Sequence, residues 1–136
     1  MEKVIISLAQ IVRNIRELET EQIKGYYIIA LILKAQEISN PYRTVINHVE
    51  KEITKELAYR NCEFKPELFQ ENGNLYLELL IDENGNFIRG RAELKALLST
   101  VDFDSRVDIL DKLSNSCINQ NLWRAIVEIQ EELVNI

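Results

Sequence analysis

Two copies of one tetrapeptide, Glu71-Asn72-Gly73-Asn74 and Glu83-Asn84-Gly85-Asn86, divide the middle of this chain. Asn-Gly tolerates the positive φ of tight hairpins, so each copy predicts a reversal of direction. Between them Leu75, Leu77, Leu79 and Ile81 alternate with other residues, which places them on one face of a strand. The residues before it, 62–70, include Phe64, Leu68 and Phe69 but also Pro66, which confines a strand to a sheet edge. A short third strand is expected at Phe87–Arg89, completing a small antiparallel meander.

Helical periodicity fills both flanks. Val4, Leu8, Ile11, Ile15 and Leu18 recur at steps of three and four and predict one amphipathic helix of about four turns. Thr20, followed by Glu21 and Gln22, is the expected cap of a second helix over 21–39. Its middle is apolar all round, so it must be covered by neighbours or by a second copy of the chain, and Gly25 inside it costs about 1 kcal/mol relative to Ala unless close packing needs the missing side chain. Asn40-Pro41 opens a third helix whose buried stripe is Tyr42, Val45, Ile46, Val49, Ile53 and Leu57. Glu50, Lys51, Glu52, Lys55 and Glu56 form its expected solvated side, and Asn61 its left-handed end. After Arg91 the helical period returns in three segments, around Leu94–Val101, Phe103–Leu113 and Leu122–Leu133, with Asp102 or Asp104 capping the second and Asn119 the third.

Composition enters where function is concerned. The 136 residues suffice for one domain spanning 1–136, and 46% apolar content is ample for a core. The net charge of -6 argues against general affinity for nucleic acid or anionic membrane. The acidity is uneven: residues 66–136 hold six Lys and Arg against thirteen acids. Cys62 and Cys117, with a single distant His, suggest neither a zinc site nor a disulfide framework, which fits a reduced cytoplasmic setting. The start of the chain lacks the pattern of a signal peptide, and the longest apolar run, 26–33, is far shorter than the roughly 20 residues of a membrane span.

Four groups of residues are candidates for function. Asp102, Asp104, Asp108 and Asp111 are four carboxylates, three of which fall on one side of a helix, suited to meeting a basic partner or to mimicking nucleic acid. Asp82, Asn84, Asn86 and Glu93 have the ligand spacing of a calcium-binding EF-hand loop, but Phe87 stands where the turn needs Gly, and Arg89 and Arg91 bring positive charge. Arg89, Arg91 and Lys95 form the compact basic group and are expected to pair with the neighbouring Asp cluster. His48 flanks the stripe of the third helix without a nucleophile motif nearby.

Residues 103–136, with Phe103-Asp104-Ser105-Arg106-Val107 and Leu122-Trp123-Arg124, resemble the last two helices of HEPN-type domains such as the mannitol-repressor relatives. The Arg-and-His ribonuclease motif of that family is missing, since no His follows Arg124. Residues 25–46, with the apolar helix, Gln36 and Asn40-Pro41-Tyr42-Arg43, are similar to the helical small subunits of CRISPR surveillance complexes. That resemblance implies a nucleic-acid-associated subunit of a larger assembly, from which the acidity and the central hairpin depart.

The expectation is therefore an α+β domain with three N-terminal helices, a small central antiparallel β-meander or hairpin, and three C-terminal helices. Its expected function is non-catalytic: an inhibitor, immunity or antitoxin-type factor, or assembly subunit that binds another protein through Asp102, Asp104, Asp108 and Asp111. No cofactor is expected, and a homodimer follows if the second helix stays uncovered. The competing classes are an ion sensor using the loop from Asp82 to Glu93 and the nucleic-acid-associated subunit.

Overall fold

The computed structural model describes residues 2–36, 40–62, 69–71, 74–116 and 119–134. Six α-helices and two antiparallel hairpins make up the described residues, three helices on each side of the strands. The α+β architecture read from the sequence is the one observed. Most of the expected edge strand, including Phe64, Pro66 and Leu68, lies outside the described residues, as do Asn72, Gly73 and Cys117.

The first amphipathic segment is two pieces. Helix α1 (Glu2–Ile11) passes into a 3-10 segment (Val12–Glu17) in which Asn14 leaves helical geometry, at φ -114° and ψ 33°. The apolar period survives the change, because Ile5, Leu8, Val12 and Ile15 all remain buried. Helix α2 (Thr20–Lys34) follows, and its start is closed by the Glu19 backbone N–H donating to Gln22 Oε1 at 3.0 Å. Glu19, one residue before the expected Thr20, is thus the capping position.

Helix α2 forms the centre of the core. Its residues from Tyr27 to Leu33 are at most 2% exposed, because α3 (Asn40–Tyr59) covers one side and α5 (Phe103–Ser114) another. The apolar surface that suggested a homodimer is therefore buried within the chain itself. At the end of α2 the ammonium of Lys34 meets the carboxylate of Glu50 at 2.6 Å, both buried. Here the structure corrects the sequence reading: Glu50 and Glu56 lie inward, not on the solvated side of α3. Each is held by a cation, Glu50 by Lys34 and Glu56 by Arg60 at 2.9 Å, as a buried carboxylate requires. The Tyr27 hydroxyl, buried and facing the Glu50 charge, has its pKa pushed well up, chiefly by desolvation.

Asn61 ends α3 as expected, at φ 55°. The Cys62 N–H donates to the Leu57 carbonyl and the Asn61 N–H to the Ala58 carbonyl, the paired bonds of a Schellman motif. Arg60, in the same turn, donates to Thr20 Oγ1 and to the carbonyls of Ile15 and Arg16, so one guanidinium satisfies the end of the 3-10 segment.

The expected strand over 75–81 is interrupted. Strand β1 (Phe69–Glu71) pairs with β2 (Asn74–Tyr76), and β3 (Leu80–Ile81) pairs separately with β4 (Phe87–Arg89). Residues 77–79 join the hairpins without laddering, yet the inward alternation persists: Leu77 is buried, Leu79 and Ile81 half-buried, Glu78 and Leu80 exposed. Gly90 passes so close to Glu78 that a Cβ there would overlap the Glu78 carbonyl oxygen. In the β3–β4 turn, Gly85 alone takes positive φ, at 81°, and its N–H donates to the Asp82 carbonyl. This is a three-residue loop, wider than the two-residue turn that Asn-Gly favours. Gly90 then leads directly into α4 (Arg91–Ser99), and α6 (Gln120–Val134) packs against both α4 and α5.

Candidate functional site

Asp102 begins the site. Its carboxylate accepts from the Ser105 N–H at 2.8 Å and so caps α5, and hydrogen bonding to the Ser105 side chain first, then to this N–H, holds its pKa below the ordinary carboxylate value. The next two turns of α5 carry Asp104, Asp108 and Asp111 outward, all exposed. Opposite them lies the start of α2, where Glu19 and Glu21 precede and enter the first turn.

The two helix starts face each other across a cleft of about 270 Å³ lined by Glu19, Glu21, Gln22, Gly25, Asp102, Asp104, Ser105 and Asp108. Three of the four carboxylates singled out in the sequence are thus brought together. Asp111 remains on the same helix side but outside the lining. Glu19 and Glu21 are what sequence reading missed as site residues; their position at a helix start was legible, but their neighbour across the cleft was not.

Among the described residues two of these five carboxylates are ion-paired, and the Arg106 charge also bears on Asp102. Lys24 pairs with Glu21 at 3.1 Å, and Lys112 pairs with Asp108 at 2.6 Å while its ammonium lies 5.2 Å from the Tyr26 ring centre. Glu19, Asp102 and Asp104 make no ion pair among the described residues. The second oxygen of Glu21 is shut off from solvent and accepts no hydrogen bond among them. Like charges persist here because four of the five carboxylates are exposed and because the positive ends of two helices stabilise anions.

The other candidates are arranged differently. Asp82 Oδ1 accepts from the Asn84 and Asn86 N–H groups at 2.9 and 2.8 Å, so this carboxylate closes its own hairpin turn. Glu93 is exposed in the first turn of α4. Among the described residues no group of three or more His, Cys, Asp or Glu is placed to hold a metal ion. The basic group pairs, though not with the Asp cluster: Arg91 and Lys95 both donate to the Glu132 carboxylate on α6, and Arg89 lies 3.5 Å from Glu78. Those bonds lower the Glu132 pKa to about 2. His48 is exposed on α3 and lines no part of the cleft. No described helix is long and apolar enough to cross a membrane. No family model matches the chain, and no curated protein or solved structure shows significant similarity to it.

Proposed function

We propose that this chain is a non-catalytic interaction module that binds a basic partner protein at the cleft between α2 and α5, as an inhibitor, an immunity or antitoxin-type factor, or an assembly subunit does. The observation that carries this reading is the convergence of Glu19, Glu21, Asp102, Asp104 and Asp108 on one cleft, three of them outside any ion pair among the described residues. Lys or Arg side chains entering it gain charge-assisted hydrogen bonds to carboxylates already gathered, so little reorganisation opposes binding. Asp111 extends the acidic face beyond the cleft and steers the approach of a basic surface. The nucleic-acid reading draws less support, since Arg91 and Lys95 are engaged by Glu132.

The test is affinity capture from extracts of the native host, comparing the wild-type chain with an Asp104→Lys/Asp108→Lys variant shown by circular dichroism to be folded. Proteins held by the wild type and released by the charge reversal support the proposal. Identical captured sets for both baits sink it.

A further inference from the structure

Beside the acidic row, α5 carries an apolar one. Phe103 and Val107, one turn apart, are 51% and 46% exposed. Leu110, partly buried, continues their row at helical spacing, and the indole N–H of Trp123 donates to the Leu110 carbonyl at 3.2 Å, placing an aromatic ring at its end. Asp104, Asp108 and Asp111 run alongside on the same outward side. One helix thus presents an apolar line and an acidic line in parallel.

We infer that this face of α5 docks a basic amphipathic helix of another protein, whose apolar stripe covers Phe103 and Val107 while its Lys or Arg side chains reach Asp104, Asp108 and the cleft. The inference rests on the cleft reading above and adds the apolar anchor. Charge selects the occupant. A second copy of a chain with net charge -6 brings carboxylates against carboxylates, and an anionic membrane is repelled. An uncharged apolar partner that covers Phe103 strips water from the adjacent carboxylates without replacing it. The two lines run along the helix axis, which matches the i, i+3, i+4, i+7 anchors of an incoming helix.

Two fluorescein-labelled synthetic peptides of about five helical turns test this by anisotropy at low salt. One has Leu on one face and Lys on the other; in its control each Leu is replaced by Gln. The wild-type chain is expected to bind the Leu/Lys peptide about tenfold tighter than the control. Phe103→Ser/Val107→Ser removes that preference, and Asp104→Asn/Asp108→Asn weakens both peptides. If the double Ser variant fails to fold, Val107→Gln alone gives the same comparison at smaller size. Equal affinity for the two peptides, still lost in the Asn variant, overturns the apolar anchor and leaves the cleft reading standing. Absence of binding, or binding indifferent to the Asn changes, overturns both. A concentration-dependent dimer abolished by Phe103→Ser/Val107→Ser assigns the face to a second copy and also overturns the inference.

Discussion

The cleft between α2 and α5 and the seam between α4 and α6 are built from the same kinds of side chain and use them in opposite ways. At the seam one carboxylate, Glu132, accepts from two cations, Arg91 and Lys95, and the charge is spent on holding two helices together. In the cleft two of five carboxylates are ion-paired among the described residues, and Glu19, Asp102 and Asp104 face solvent. Net charge alone does not separate these regions, since both lie wholly or partly in the acidic half. What separates them is whether the fold itself has used the charge, and unused charge gathered in a concavity is what a partner can use.

Helix α4 begins at its N-cap Gly90, and the largest expected effect is there. A Cβ at this residue overlaps the Glu78 carbonyl oxygen and stands 2.9 Å from the Leu79 side chain, at a φ of 91° that L-residues rarely adopt. Gly90→Ala is expected to cost about 3 kcal/mol or more, the sum of conformational strain and overpacking. Urea denaturation measures it, and a loss below about 1 kcal/mol would mean that the crossing over Glu78 is not tight.

On the cleft side the corresponding glycine predicts the opposite sign. A Cβ at Gly25 stands 3.7 Å from Ile109 Cγ1, ordinary contact distance, within a helix. Gly25→Ala is expected to stabilise by about 0.5–1 kcal/mol, since Ala loses less backbone entropy on folding. A destabilised variant would show that α2 and α5 approach more closely than the structure places them. The two glycines thus separate a backbone crossing at the start of α4 from a side-chain contact between α2 and α5.

How much of this was legible follows from which forces are local. The helices on both flanks, the cap at Asp102 and the left-handed end at Asn61 are encoded by period and by single residue types, and all were readable. The break after Tyr76 was not, because the alternation of Leu75, Leu77, Leu79 and Ile81 continues across it and only the pairing partners change. The inward turn of Glu50 was equally hidden: helix periodicity places it at the edge of the α3 stripe, and Lys34 arriving from α2 makes its burial tolerable. The cleft was half legible. Spacing put Asp104, Asp108 and Asp111 on one side of α5, but the arrival of Glu19 and Glu21 depends on α2 packing against α5, which no local pattern specifies.

The smallest effects are expected from single charges. Glu132 has a folded pKa of about 2 against an ordinary value of 4.5, because the charged form is the one that Arg91 and Lys95 bond. Its contribution is therefore present above the ordinary value and lost as pH falls through that interval towards the folded one. Glu132→Gln is expected to melt below the wild type at neutral pH, with the difference closing by about pH 2 and shrinking in high salt, since the site is exposed. A gap that stays constant with pH would deny the charge a part in joining α4 to α6. The matching change in the cleft, Asp104→Asn/Asp108→Asn, gives up one exposed ion pair and relieves repulsion among the remaining acids, so stability is expected to move by no more than about 0.5 kcal/mol. If neutralising the cleft instead costs as much as breaking the seam, its carboxylates are serving the fold, and the contrast between spent and unspent charge fails at the site where the proposed partner binds.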